Sequence, residues 1–140
     1  MAAGALYRDR VGRVLLVDPV YRDTWDVPGG VVEAEESPHA ACRREVAEEI
    51  GLVRPVGRVL AVDWMPPRRP YPEGLVVIYD GGVLSAGEIA AINVPEEELD
   101  GFAFVPPDRA EPVVERRIQA CLKALRTGEV AALDNGGPVS

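Results

Sequence analysis

Three glutamates on a short stretch of the chain have the spacing best suited to chemistry. Glu45, Glu48 and Glu49 lie three and four positions apart in a segment rich in helix-forming residues. At about 100° of rotation per residue, their side chains fall within an arc of roughly 100° on one helix face. Like charges at this spacing repel each other, so a bound cation would stabilise the cluster. We interpret the face as a site for a hard divalent ion, because Mg²⁺ prefers carboxylate and water oxygens.

A solvated acidic helix face is the simpler alternative, and it is the usual explanation for a run of charges. Such a face normally interleaves its signs, whereas Arg44 is the one base three or four positions from any of these acids. At that spacing Arg44 can pair with Glu48 alone. The metal-site interpretation therefore accounts better for the crowding of charge.

The helix that would position the glutamates is marked at both ends. Ser37 is a favourable N-cap, and Pro38 fits the first helical position. Val46 and Ile50, four positions apart, form an apolar stripe that is rotated away from the glutamates. Gly51 can take the left-handed conformation that ends many helices. We therefore predict a helix over 38–50 with one acidic and one buried face.

The residues before this helix predict a loop, because the sequence Pro28-Gly29-Gly30 breaks regular structure and permits close backbone approach to a ligand. The whole segment resembles the Nudix box: a Gly, five residues, a Glu, seven residues, then Arg-Glu-aliphatic-x-Glu-Glu-x-Gly-aliphatic. Every fixed position is filled, by Gly30, Glu36, Arg44, Glu45, Val46, Glu48, Glu49, Gly51 and Leu52. The resemblance extends to 25–30 before the box and to 98–105 after it, with Phe104 where many members have Trp.

The resemblance implies roles for the residues of the box. It assigns metal ligation to Glu45, Glu48, Glu49 and the carbonyl of Gly30. It implies that Arg44 orients glutamates, Glu36 among them, rather than touching the substrate. The simpler alternatives are an ordinary surface ion pair between Arg44 and Glu48, and a helix-dipole role for Glu36.

The general base is less closely specified, because this family uses either a box glutamate, here Glu48, or a glutamate of a later loop. Glu98 has the spacing to Phe104 that resembles the loop glutamate of the family. Glu96 and Glu97 compete with it, and a solvated acidic loop is the alternative for all three.

Substrate choice depends on residues outside the box. The resemblance associates a proline at the position of Pro67 with ADP-ribose hydrolysis, but four prolines between 66 and 72 weaken that match. A slightly later tyrosine is typical of dinucleoside polyphosphate enzymes, and Tyr71 is one or two positions late for it. Trp25 and Tyr71, both in predicted loops, are candidates for stacking on a nucleobase. A nucleoside triphosphate, as in the small MutT-like members, stays open.

Composition agrees with one enzyme domain, which we expect to span residues 1–140. The net charge of −8 argues against binding a nucleic-acid polymer and favours a small nucleotide as the partner. No membrane-spanning run or signal-peptide core is present, so the cytoplasm is the expected compartment. Cys42 and Cys121 are expected to be free thiols. The oligomeric state is left open, with a homodimer among the alternatives.

The remaining pattern predicts an α/β (α+β) fold. Strands are predicted at 2–7, 13–17, 56–64, 75–79, 89–94 and 102–105, with a turn at 80–82 and an acidic loop at 96–100. A second helix over 112–126 has a regular apolar face, and 129–140 reads as a loosely held tail. The resemblance sharpens this to the Nudix fold, a mixed β-sheet sandwiched between α-helices.

The function implied by the resemblance is metal-dependent hydrolysis of a phosphoanhydride bond. The substrate class is a nucleoside diphosphate linked to another moiety, such as a nucleoside triphosphate or an ADP-ribose-type nucleotide. Mg²⁺ is the expected cofactor, and Mn²⁺ can replace it. The main alternative is a non-catalytic Nudix-fold module that senses a nucleotide, although such modules usually lose box glutamates. An acidic interaction domain without a metal would leave the crowded glutamates unexplained.

Overall fold

A mixed β-sheet forms the middle layer of the molecule, with one long helix packed on each face. The structure is a computed structural model and describes residues 1–19, 25–94 and 99–139. The strands are β1 (Ala2–Arg8), β2 (Val14–Pro19), β3 (Gly29–Val31), β4 (Val59–Met65), β5 (Gly74–Val83), β6 (Leu99–Val105), β7 (Ala131–Asp134) and β8 (Gly137–Pro138). The helices are α1 (Pro38–Ile50), α2 (Ala86–Ala90) and α3 (Pro112–Thr127), with a short 3-10 turn at Pro107–Arg109.

The sheet order is β6-β2-β1-β5-β4-β7-β8, and β3 pairs with β1 beside that path. The pairs β1–β5 and β4–β7 are parallel, and the remaining strand pairs are antiparallel. β1 is buried over most of its length, which matches its continuous apolar sequence. The predicted α/β class with a mixed sheet between helices is confirmed.

The two faces of the sheet carry separate hydrophobic clusters. On one face α1 packs through Ala41, Cys42, Val46 and Ile50 against inward residues of β1, β2 and β5. On the other face α3 packs through Val114, Ile118, Cys121 and Ala124. Both cysteines are free, as predicted, and burial raises the pKa of each thiol to about 12, so both stay protonated.

Both ends of α1 are built as the sequence predicts. The Ser37 hydroxyl accepts a hydrogen bond from the Ala40 backbone N–H at 3.1 Å. Gly51 adopts a left-handed φ of 68° and closes the helix by donating to the Ala47 carbonyl. The helix that carries the glutamates therefore has fixed limits on both sides.

Several predicted elements differ from the structure. The predicted turn at 80–82 lies within β5, where Gly81 is the extra residue of a bulge opposite β1. The predicted strand at 89–94 is wrong, because α2 occupies its first residues. A capping box between Ser85 and Glu88 starts that helix, and the SxxE pattern was present in the sequence. Residues 99 and 100, predicted as loop, belong to β6.

The segment predicted as a loose tail forms the end of the sheet instead. β7 pairs in parallel with β4, and β8 folds back on β7 through a turn at Asn135 and Gly136. The prediction was wrong because four residues with no strong pattern gain their order from β4, which lies some seventy positions earlier. The predicted loop before α1 also differs, since Gly29–Val31 pairs with β1 as β3.

Among the described residues, no helix combines the length and the apolar character needed to cross a membrane.

Replacing Leu133 with alanine tests whether the C-terminal strands belong to the core. The Leu133 side chain is buried beneath α3, so Leu133→Ala is expected to lower the free energy of unfolding by about 2–5 kcal/mol. Val130→Ala, at an exposed position just before β7, is the matched control and should change stability little. Chemical denaturation of both variants measures the difference, and an unchanged midpoint for Leu133→Ala would contradict the docking of β7.

Candidate functional site

The site begins where the backbone of β3 contacts the acidic side chains of α1. A Cβ added to Gly30 would collide with the Glu45 carboxylate, and one added to Gly29 would collide with the Ala3 carbonyl. The Gly29 backbone N–H donates to the Glu49 carboxylate at 2.6 Å. Glycine at position 30 therefore lets the strand backbone approach the Glu45 carboxylate of α1, and glycine at position 29 lets β3 lie close against β1.

Arg44 joins the loop before α1 to the acidic face of that helix. Its Nε and Nη2 donate to the two oxygens of Glu36 at 2.8 and 2.9 Å, a bidentate pair. Its Nη1 donates to Glu45 at 2.9 Å and to Glu48 at 3.3 Å. Nη2 also reaches the Val31 carbonyl at the end of β3, at 3.1 Å. Arg44 thus holds a larger set of acceptors than the single surface partner that helical spacing allows.

The pairing changes the electrostatics of both partners. Hydrogen bonds from the Arg44 guanidinium lower the pKa of Glu36 to about 2, with help from the Glu33 backbone N–H. The Glu36 and Glu45 carboxylates hold the pKa of Arg44 above its usual range. Both groups are therefore charged at neutral pH.

The three glutamates differ in burial. Glu49 is 5% exposed, Glu45 is partly buried, and Glu48 reaches solvent with half of its side chain. In the part of the chain that the structure describes, no three acidic, His or Cys side chains converge on one point. The reason is visible in the contacts, because Arg44 draws the oxygens of Glu45 and Glu48 while the Gly29 amide holds Glu49.

The donor set nevertheless fits a hard divalent ion in its chemistry. Three carboxylates occupy one helix face beside a strand backbone at which a Cβ would fill the available space. Glu45, Glu48, Glu49 and the Gly30 carbonyl are the residues that could hold the ion, and their ligand role stays a prediction.

A cleft opens on the other side of β3, against the face of the sheet that carries α3. Its volume is about 430 Å³, and it is lined by parts of β1, β3 and β5, by the loop from Arg68 to Glu73 and by the first turns of α3. Most of the lining is apolar, with Gly29 and Gly30 on its inner wall. We call it the β3 cleft. The acidic face of α1 and the β3 cleft are therefore separated by the width of one short strand.

The predicted substrate residues are placed differently from one another. Tyr71 lines the β3 cleft and is 59% exposed, and its stacking role stays a prediction. Trp25 packs half-buried against the apolar cluster under α3, and Pro67 is exposed, with neither among the residues that line the cleft. Glu98 and its competitors Glu96 and Glu97 lie outside the described residues.

Two residues of the β3 cleft and its wall were missed from the sequence. Arg117, on α3, lines the cleft, and its Nε donates to Asp63 of β4 at 2.7 Å. Arg117 is 5% exposed and Asp63 is fully buried. A signal was present, because Arg117 lies three positions after Val114 and four before Cys121, within the apolar face of the helix.

Comparison with known proteins identifies the family. A family model described as NUDIX domain matches residues 1–124. A MutT-like protein of Streptomyces ambofaciens is 42% identical over 136 residues, which is 97% of this chain and 77% of that protein. Diphosphoinositol polyphosphate phosphohydrolase 3-alpha of Mus musculus is 49% identical over 55 residues, 39% of this chain and 34% of that protein. The match to this second relative therefore spans about a third of its length.

A solved structure supports the same fold. The crystal structure of the MutT protein from Methanosarcina mazei Go1 superimposes with a TM-score of 0.71 at 22% identity, over 91% of this chain and 94% of that chain. At this identity the likeness concerns the fold alone. The resemblance predicted from the box residues is confirmed by the match along most of the chain, and the protein belongs to the NUDIX domain family.

Proposed function

We propose that the protein hydrolyses a phosphoanhydride bond in a nucleoside diphosphate linked to another moiety, with a divalent metal ion as cofactor. The observation that carries this proposal is the adjacency of the acidic face of α1 and the β3 cleft across β3. A nucleotide can place its ring in the cleft and its anionic chain over the thin glycine backbone toward the glutamates.

The chemistry requires charge neutralisation more than covalent assistance. The anionic oxygens of a phosphoanhydride repel an incoming nucleophile, and a bound divalent ion offsets that charge and activates a water molecule. Glu45, Glu48 and Glu49 would hold the ion, with the Gly30 carbonyl as a further ligand. Mg²⁺ is the proposed ion and Mn²⁺ its substitute.

Arg44 acts as a positioning residue in this proposal. Its guanidinium is fixed by the bidentate pair with Glu36, so the Nη1 donor is held beside Glu45 and Glu48. A fixed cation at this place lowers the repulsion among the glutamates before a metal ion binds. Glu36 then serves the site through Arg44 rather than by touching the substrate.

The general base is proposed to be Glu98. Its support is the resemblance of its spacing to Phe104, since its position lies outside the described residues. Glu48 is the alternative within the described site, because its side chain is half exposed and is the most accessible of the three glutamates.

The lining of the β3 cleft favours a nucleotide over a highly phosphorylated ring. The relative from Mus musculus is named for diphosphoinositol polyphosphate, and recognition of such a polyanion requires several available cations. Both arginines of the cleft already have a carboxylate partner, since Arg117 pairs with Asp63 and Arg68 lies 3.7 Å from Glu111. An apolar cleft with a few polar groups and an exposed tyrosine suits a flat heteroaromatic ring.

A non-catalytic module that only binds a nucleotide is the second candidate. It is less well supported, because every glutamate of the box is retained and Arg44 holds two of them in place. A panel of nucleoside triphosphates, ADP-ribose and dinucleoside polyphosphates with Mg²⁺ or Mn²⁺ separates the two candidates. Release of phosphate, pyrophosphate or a nucleoside monophosphate supports the enzyme, whereas binding without any release would support the module.

Replacing Glu48 with glutamine tests the metal platform. We expect Glu48→Gln to lower turnover by on the order of 100-fold or more while the protein stays folded, because a charged ligand of the metal is lost from an exposed position. Glu129→Gln, at an exposed position beyond α3, is the matched control and should retain full activity. Undiminished Mg²⁺-stimulated hydrolysis in Glu48→Gln would remove this residue from the metal site.

Replacing Glu98 with glutamine tests the general base. A lost base is expected to lower kcat by about 10²–10⁴-fold while the Mg²⁺ concentration for half-maximal activity changes little. Glu96→Gln and Glu97→Gln are compared under the same conditions. A larger loss in either of them would move the role to that residue, and full activity of Glu98→Gln would return it to Glu48.

Replacing Glu36 with glutamine tests the positioning of Arg44. We expect turnover and Mg²⁺ affinity to fall by about 10–100-fold, because the bidentate anchor of the guanidinium is lost. Glu33→Gln is the control, since its exposed carboxylate lies 3.8 Å from Arg44 and should matter little. Equal activities in the two variants would show that the Glu36–Arg44 pair is an ordinary surface contact.

The same pair predicts a difference in acid stability. The pKa of Glu36 is lowered to about 2 from an ordinary value of about 4.3, so its pair with Arg44 stabilises the fold above that ordinary value. This contribution is lost as the pH falls toward 2. The midpoint temperature of thermal unfolding should therefore decrease more steeply between pH 5 and 2 for the wild type than for Glu36→Gln. Parallel decreases in the two proteins would contradict the assignment.

A further inference from the structure

The buried ion pair between Arg117 and Asp63 lies beside the β3 cleft, away from the acidic face of α1. Asp63 is fully buried within β4, and its Oδ2 accepts from Arg117 Nε at 2.7 Å. Its Oδ1 accepts from the Gly136 backbone N–H at 3.0 Å, in the turn between β7 and β8. Asp63 therefore connects α3 to the C-terminal strands and fixes the orientation of the Arg117 guanidinium.

The turn that holds Asp63 is itself anchored. The Asn135 N–H donates to the Trp64 carbonyl at 2.7 Å, and Gly136 has a φ of 81° and leaves no room for a Cβ against the Val113 carbonyl. The neighbouring Arg116 reaches the Asn135 carbonyl at 3.4 Å. The guanidinium of Arg117 is thus held by a rigid frame made of three elements.

The guanidinium still has donors to offer to an occupant of the cleft. Its Nε is taken by Asp63, and its Nη2 points at the Met65 sulfur at 2.9 Å, a weak acceptor. Nη1 has no hydrogen-bond partner among the residues that the structure describes, and it is not enclosed, because Arg117 lines the β3 cleft. A donor in such a low-dielectric wall gains most from a strong acceptor on the ligand.

We propose that Arg117 is a specificity-determining residue that donates a hydrogen bond to a carbonyl oxygen on the base of the bound nucleotide. The inference rests on the proposed function, since it assigns the β3 cleft to the base. Arginine has donors and no acceptor, so a base with a carbonyl group at that place is matched, and a base with an amino group is opposed. Among purine nucleotides, this match predicts a preference for a 6-oxopurine over a 6-aminopurine.

Three other charged side chains of the cleft are engaged in different contacts. Glu73 accepts from the Trp64 indole N–H at 3.2 Å, and Glu111 lies near Arg68 at the exposed rim. Arg117 is the most deeply buried cationic side chain of the described lining, and the hydrogen bond to Asp63 keeps its guanidinium oriented. Burial and a fixed orientation are the properties that let one hydrogen bond discriminate between ligands.

The matched substrates for the test are ITP and ATP, which differ at position 6 of the purine and in the proton on the neighbouring N1. The wild type is expected to prefer ITP in kcat/KM by about tenfold or more, the range of a hydrogen bond to a charged group. Arg117→Lys keeps a cation beside Asp63 but loses the planar fork, so the preference should fall toward one. Arg126→Lys, at an exposed position on the last turn of α3 and outside the lining of the β3 cleft, is the control and should keep the wild-type ratio.

The ratio of kcat/KM for ITP to kcat/KM for ATP distinguishes base recognition by Arg117 from a purely structural role. A disturbed fold would lower the turnover of both substrates together and leave the preference unchanged, and that result would overturn the proposal. If Arg117→Lys does not fold, the double variant Arg117→Met/Asp63→Asn removes the buried charges together and avoids an unpaired carboxylate. Equal kcat/KM for ITP and ATP in the wild type would also overturn the proposal.

Binding of IMP and AMP in the presence of EDTA gives a readout that does not depend on hydrolysis. Calorimetry of the wild type should show tighter binding of IMP, and Arg117→Lys should bind the two equally. A preserved IMP preference with no hydrolysis of any nucleotide would leave this inference standing and remove the proposed enzyme function. Hydrolysis of nucleotides together with equal binding of IMP and AMP would overturn this inference and leave the proposed enzyme function standing.

Discussion

The backbone of β3 lies directly against α1, and the arrangement of the site depends on that approach. Gly30 lies where any side chain would collide with the Glu45 carboxylate, and the Gly29 amide donates to the buried carboxylate of Glu49. These contacts set the distance between a strand of the sheet and the acidic face of a helix. They also leave β3 thin enough for the β3 cleft and the glutamates to lie on its two sides. In the proposed function, one substrate would reach both across the backbone of this single strand.

Crowded carboxylates destabilise a helix unless a positive charge offsets them, and Arg44 supplies that charge in the protein alone. Its bidentate pair with Glu36 spans from the preceding loop to the helix, while its remaining donors reach Glu45 and Glu48. The guanidinium and a divalent ion would draw on the same oxygens. The acidic face of α1 is thus held together by an internal cation, and Glu48 is the most exposed of its three glutamates.

The second face of the sheet is organised by a different charge pair. Asp63 and Arg117 would be costly to bury singly, and their mutual hydrogen bond together with the Gly136 amide satisfies the carboxylate fully. The C-terminal strands β7 and β8 bring that amide into place, so the last residues of the chain shape the wall of the cleft. Two charge networks therefore lie on opposite faces of the sheet, and in the proposed function each would serve one end of the bound nucleotide.

The sequence by itself determined the parts of this protein that depend on near neighbours. The caps and the acidic face of α1 follow from residues a few positions apart, and the nine matched positions of the box predicted the family. Helical spacing predicted only some of the partners of Arg44, because Glu36 lies eight positions away and is reached through the fold of the loop. Only the tertiary structure decided that Gly29–Val31 and the segment after Gly128 form strands. Their hydrogen-bond partners lie far away along the chain, and a short strand without a strong local pattern acquires its order from the strand beside it.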